Sequence, residues 1–139
     1  MIIFFDRSAG RKMGYALKGI RKFPYRLELH HEYFAPKERD DVWLAQVGQW
    51  GWMVIGQDYK HHEIAAELDA IVKHQVGAFY LWGSQEPQWE IFKVLVKSLD
   101  KMVALAEVTP RPFVFRVEKS GQIKPVRLPG ASMRARSSG

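Results

Sequence analysis

Five short apolar runs, separated by four stretches of helical periodicity, constrain this chain more than any other feature of its sequence. Ile2–Phe5, Trp52–Ile55 and Gly77–Leu81 are continuous, whereas in Tyr25–Leu29 and Phe113–Val117 the apolar residues alternate, as Tyr25, Leu27 and Leu29 and as Phe113, Phe115 and Val117. Each is too short for a buried helix and is bounded by turn-forming residues, so each reads as a strand. The first is apolar at every position, as a strand covered on both faces requires. From about Ala9 to Lys22, Met13, Ala16, Leu17 and Ile20 share one helical face, with Ser8 as the expected N-cap. A second helix starts at Asp40 or Asp41 as cap, turns Trp43, Leu44, Val47 and Trp50 to one side, and ends at Gly51. A third spans His62 to His74, with Ile64, Leu68, Ile71 and Val72 as its buried stripe. Pro87 suits the first turn of a fourth, whose core face is Phe92, Leu95, Val96, Leu99, Met102, Val103 and Ala106. Strands alternating with helices at this spacing predict an α/β sandwich around a mostly parallel sheet. Pro110 and Pro112 stop the last helix. After a turn at Lys119–Gln122, Ile123–Leu128 returns as a hairpin partner. This makes one domain over residues 1–128 and a flexible basic tail over 129–139.

The composition supports that reading and removes several classes of function. A chain of 139 residues that is 47% apolar can build a real core. It contains no cysteine, which excludes disulfides, thiolate metal sites and cysteine nucleophiles. Its longest uncharged run, Val42–Gln57, is interrupted by Gly48, Gly51 and Gly56 and is too short to span a bilayer. The N-terminus lacks a basic start before its apolar run, so a soluble, cytoplasmic protein without a membrane partner is expected. The net charge of +6 is unevenly placed. Residues 1–27 hold seven Lys and Arg against Asp6 alone, residues 28–108 hold thirteen acids and seven bases, and residues 109–139 are again strongly basic. Basic ends around an acidic middle suit a positive surface for a polyanion beside an acidic pocket.

Parallel sheets place ligands at the carboxyl ends of their strands. Two of the runs finish on an aspartate there, IIFFD at Asp6 and MVIGQD at Asp58, and Asp41 opens the helix that feeds the second. Converging carboxylates repel unless a cation sits among them, and their hard oxygens suit Mg²⁺ or Mn²⁺. Arg7 and Arg11 follow Asp6 at a helix start, and with Lys12 they are the expected contacts to a nucleic-acid backbone. His30-His31-Glu32 and His61-His62-Glu63 lack the spacing of a helical zinc motif, although His61 or His62 could contact a phosphate. Trp43, Trp50, Trp52, Trp82 and Trp89 could stack on bases, but most occupy core-facing positions, which favours packing.

The segments IIFFDRSAGRK and DDVWLAQVGQWGWMVIGQDYKH together resemble the PIN-like nucleases, in particular the VapC-type toxins. Such domains open on an apolar strand ending in Asp, and later carry an Asp on a helix, a Gly, and a strand ending in an acid before an aromatic residue. Asp6, Asp41, Gly51 and Asp58-Tyr59 supply that order here. The resemblance implies a three-layer α/β/α sandwich and a metal-dependent endoribonuclease acting on RNA. Asp6, Asp41 and Asp58 would be the Mg²⁺ or Mn²⁺ ligands, and a cognate antitoxin would hold the activity in check; homodimerisation is left open. The family also carries a further acid between the first and second of these. Glu28, Glu32, Glu38 and Asp40 compete for that role, with Glu32 preferred as the fourth catalytic acid. The sequence departs from the pattern at Gln57, where Ser or Thr is usual, and at Trp82-Gly83-Ser84, where a carboxylate would end the fourth strand. Those departures keep alternatives open: a non-catalytic PIN-like nucleic-acid-binding or regulatory protein, or a nuclease acting on DNA.

Overall fold

A computed structural model describes residues 1–9, 11–57, 61–83 and 86–130, with the side chains of 61–65 outside the description. In chain order the elements are β1 (Ile2–Phe5), α1 (Arg11–Lys18), β2 (Arg26–Leu29), α2 (Asp40–Trp50), β3 (Met53–Gln57), α3 (His61–Lys73), β4 (Gly77–Leu81), α4 (Gln88–Val108), β5 (Phe113–Val117) and β6 (Ile123–Pro125), with one 3-10 turn at His30–Glu32 after β2. The strands form one sheet in the order β2-β1-β3-β4-β5-β6. Every pairing is parallel except the last, where β6 returns antiparallel on β5 as the expected hairpin.

Alternation along the strands gives the sheet two apolar faces. Ile3, Phe5, Met53, Ile55, Phe79 and Leu81 pack with Met13 and Leu17 of α1 and with Leu95, Leu99 and Met102 of α4. Phe4, Val54, Ala78 and Tyr80 pack on the opposite face with Trp43, Leu44 and Val47 of α2 and Ile71 of α3. The molecule is therefore an α/β/α sandwich, as the alternation of runs predicts. Steps from β3 to β4 and from β4 to β5 go the same way along the sheet, yet α3 and α4 lie on opposite faces. Those two crossovers have opposite hands, and α4 alone departs from the hand shared by α1, α2 and α3, although such crossovers nearly always share one hand. Cover is the physical reason. With only eight residues, α1 leaves most of its face bare, and the 21-residue α4 closes it.

Several local expectations are corrected. The first helix does not run from Ala9 to Lys22. It stops at Lys18, the chain turns through hydrogen bonds from Ile20 N to Leu17 O and from Phe23 N to Ile20 O, and Lys22 adopts a left-handed φ of 59°. Ile20 is consequently 48% exposed rather than core. Val96 of α4 is likewise exposed, and the buried positions of that helix include Ile91 and Ser98 instead. Pro87 is the N-cap of α4, one position ahead of its first turn. The tail from Ala131 onward lies outside the described residues. Among the described residues no helix is long and apolar enough to cross a membrane.

Candidate active site

The chain leaves β1 for β2 on one side and returns to place β3 on the other. The carboxyl ends of β1 and β3 therefore form the switch point at which an open α/β sheet binds ligands. Asp6 stands there, one residue beyond β1, and its N–H donates to Ile55 O at 3.0 Å. Beyond the Phe5–Ile55 pair the parallel register sets Asp6 level with Gly56, and Gly56 pairs with Tyr80 of β4. The three residues form one row across the sheet, facing α2 and α3. A Cβ at position 56 would lie 2.5 Å from Asp6 Oδ2 and 2.8 Å from Tyr80 Cε1. Only glycine lets the carboxylate and the phenol ring close over this strand.

Asp6 is 4% exposed. Its Oδ1 accepts hydrogen bonds from Ser8 N at 2.8 Å, Ala9 N at 3.1 Å and the Ser8 hydroxyl. The same hydroxyl accepts from Gln57 N at 3.0 Å, so Ser8 ties together the ends of β1 and β3 instead of serving as the expected helix cap. Burial raises the Asp6 pKa from the ordinary 3.8 to about 6; the Ser8 and Ala9 donors pull against the rise, and nearby Asp40 adds to it. No cation among the described residues pairs with Asp6.

Two further acids approach from the covering helices. Glu67 of α3 is 3% exposed, and its Oε2 accepts a hydrogen bond from Tyr80 OH at 2.7 Å. Asp40, in the first turn of α2, pairs with Arg7 and accepts from Trp43 Nε1 at 3.0 Å. The N-cap of α2 is Arg39, without a side-chain capping bond, so neither Asp40 nor Asp41 caps the helix. Asp41 instead meets Arg39 Nη2 at 2.8 Å in an exposed pair. A cleft next to α2 and α3 is lined by Arg7, Asp40, Asp41 and Glu67. On the other side of Arg7 lies a cavity of about 310 Å³ whose lining includes Asp6, Arg7, Arg11, His30 and His31.

A family model described as a PIN-like domain matches residues 1–83, from β1 to the end of β4. The chain belongs to the PIN-like domain family. No curated protein and no solved structure matches the sequence. PIN-like domains are generally nucleases, and the match covers the strand ends just described, whereas α4, β5 and β6 lie wholly beyond it.

In this PIN-like chain the residues singled out from sequence are not all brought together. Asp6 lies at the β1 end of the row, with Gly56 between it and Tyr80. Asp58 directly follows Gln57 in sequence and lies outside the described residues, as do the side chains of His61 and His62. Both α2 acids line the cleft, but successive helical positions point about 100° apart, and Asp40 pairs with Arg7 whereas Asp41 pairs with Arg39. Glu32 pairs with Lys18 Nζ at 3.0 Å on the flank of α1 and is not among the residues lining the cavity with Asp6. Arg7 commits three of its five N–H donors within the chain, to Pro36 O at 2.8 Å, to Glu38 O at 2.7 Å and to Asp40. Arg11 and Lys12 are exposed.

Glu67 and Tyr80 are not among the residues singled out from sequence, and His30 is singled out there only within a discounted zinc pattern. Glu67 had a signal, because in sequence it falls on the apolar stripe expected for α3, between Ile64 and Ile71. Tyr80 had only its place in an apolar strand. His30 is 2% exposed, is ringed by Phe4, Phe34 and Trp43, and its Nε2 has no hydrogen-bond partner. Burial first, and Arg7 second, hold its pKa below the usual histidine range.

Among the described residues no three acids or histidines stand close enough to hold a metal ion. The donor chemistry at Asp6 nevertheless fits one. Its Oδ1 is saturated by neutral donors, and the raised pKa marks a carboxylate that lacks a counter-charge. A divalent cation would supply that charge.

Proposed function

We propose that this protein is a Mg²⁺- or Mn²⁺-dependent endoribonuclease and the toxin of a toxin–antitoxin pair. One observation carries the proposal: a buried carboxylate without a cation partner among the described residues, Asp6, at the switch point of a PIN-like sheet. Asp6, Asp58 and an acid from the first turn of α2 would hold the cation, with Asp40 favoured over Asp41 by its place beside Arg7. The cation would supply Lewis-acid polarisation of the phosphodiester and activation of water. The protein's own part is orientation. Three donors on Oδ1 hold Asp6 in one rotamer, and the Ser8 hydroxyl fixes the spacing between the β1 and β3 ends. Arg7 pins the 36–40 segment so that Asp40 stays near that site. Exposed Arg11 and Lys12 would attract the RNA backbone.

The test is cleavage of a labelled single-stranded RNA by the purified chain with Mn²⁺, with EDTA, and after Asp6→Asn. Cleavage that needs both metal and Asp6 supports the nuclease reading. Binding without cleavage under every metal condition moves the protein to the non-catalytic alternative, and cleavage of DNA alone redirects the substrate. The toxin part has its own readout. Expression without a partner should arrest a bacterial host, Asp6→Asn should relieve the arrest, and vigorous growth with soluble wild-type protein would reject it. A cognate antitoxin is then the protein that restores growth when co-expressed.

A further inference from the structure

We propose that the groove between α1 and α4 seats a base of a single-stranded nucleic acid whose backbone passes over Arg11 and Lys12 toward the Asp6 site. The inference rests on the nuclease reading above and deepens it by naming a base-stacking subsite outside the carboxylate site. The groove has a volume of about 300 Å³ and is walled by Lys12, Met13 and Ala16 of α1 and by Gln88, Trp89 and Phe92 of α4. Trp89 leaves 65% of its surface in solvent. Its indole is stacked on Phe92, with ring centroids 6.3 Å apart and planes inclined by 23°. A ring so exposed and so backed presents one flat face of fixed orientation, which is the platform on which bases stack.

Continuity and charge together choose the occupant. Lys12 lines this groove and the preceding residue, Arg11, lines the cavity that contains Asp6. The first turn of α1 is therefore a wall shared by both hollows. Arg11 and Lys12 are exposed, and neither has an ion-pair partner among the described residues. An apolar slot next to two unneutralised cations complements a chain that alternates flat apolar bases with phosphates. A duplex does not fit, because its bases already stack on one another, whereas a single strand can turn a base onto an aromatic ring.

The test measures binding in EDTA, so that no cleavage intervenes, using a fluorescein-labelled oligouridylate and an abasic strand of the same ribose-phosphate length. Trp89→Ala should weaken the oligouridylate roughly ten-fold, as the loss of one base stack does, and leave the abasic strand nearly unchanged. Trp89→Tyr, which keeps a ring, should restore most of the loss. The double variant Arg11→Ala/Lys12→Ala should weaken both strands alike and flatten the salt dependence. Equal binding of oligouridylate by wild type and Trp89→Ala, or equal losses on both strands, would overturn the proposal. A Trp89 indole N–H resonance that stays unmoved at saturating oligouridylate would also overturn it. The two readings fail separately. Metal-dependent cleavage by a chain whose binding ignores Trp89 rejects only the groove, whereas base-dependent binding through Trp89 without cleavage keeps the groove and rejects the nuclease.

Discussion

Asp6 stabilises the fold when neutral and weakens it when charged. Its folded pKa, about 6, lies above the ordinary 3.8, so the folded chain binds the proton more tightly than the unfolded one. The stability this contributes is complete below pH 3.8 and is lost as pH rises through about 6, a loss of up to about 3 kcal/mol. Asp6→Asn keeps an Oδ1 for the Ser8 and Ala9 donors without the charge. It should therefore raise the melting temperature at pH 7.5 and change it little at pH 4. Equal effects at both pH values would show that burial does not govern this carboxyl. His30 works in the opposite sense, since its folded pKa lies below 6.5 and its contribution is lost on acidification. The α2 acids separate by a second comparison. Asp40→Asn removes the partner of Arg7 and the charge acting on Asp6, and should lower RNA cleavage about ten-fold or more, in the range of groups that orient metal ligands. Asp41→Asn breaks only the exposed pair with Arg39 and should leave the rate near wild type. The reverse ranking would restore Asp41 to the site.

At the scale of elements, the approach of α2 to the end of α3 depends on Gly48. A Cβ there would stand 2.3 Å from the backbone oxygen of His74, an atom that cannot move aside as a side-chain tip could. Ala is the better helix former by about 1 kcal/mol. The overpacking cost of forcing two backbones apart is about 1–3 kcal/mol, so the steric term should win. Gly48→Ala is expected to lower the urea midpoint without changing the slope of the transition. An unchanged or higher midpoint would mean that the α2–α3 contact yields freely. Because these two helices carry Asp40 and Glu67, the same substitution should also lower activity. Gly51 ends α2 with a φ of 75°, and Arg111 Nη2 donates to its carbonyl at 2.6 Å, anchoring the approach to β5.

For the whole molecule, the prediction is linkage between metal and stability. A cation that binds the folded chain at Asp6 raises the melting temperature with its concentration by mass action. Protons compete for the same carboxyl, so the increase caused by Mn²⁺ at pH 7.5 should shrink toward zero near pH 5, below the Asp6 pKa of about 6. Asp6→Asn should abolish it at either pH. A Mn²⁺ response that survives in Asp6→Asn would place the ion elsewhere and remove the metal from the proposed mechanism.

The amino-acid sequence by itself determined the elements, because side-chain periodicity is local. Apolar runs of strand length, helical stripes and the Asp that ends IIFF are visible without neighbours, and they were enough for an α/β sandwich with Asp6 at a strand end. Helix ends were less legible: nothing in the 9–22 segment announces that Lys22 adopts a left-handed turn and leaves Ile20 in water. The composition of the site was decided only by tertiary structure. Whether Asp40 or Asp41 reaches Asp6 depends on the rotational phase of α2 over the sheet, and that phase is set by Trp43, Leu44 and Val47 packing on Phe4 and Val54. Arg7 looks available in sequence and is occupied only because the 36–40 loop folds back over it. Glu67 and Tyr80 are separated by thirteen residues and meet because α3 covers β4 on that face. The face taken by α4 was likewise a matter of which surface remained uncovered. Such contacts are fixed by long-range register and by competition for apolar surface, and neither quantity exists until the sheet has formed.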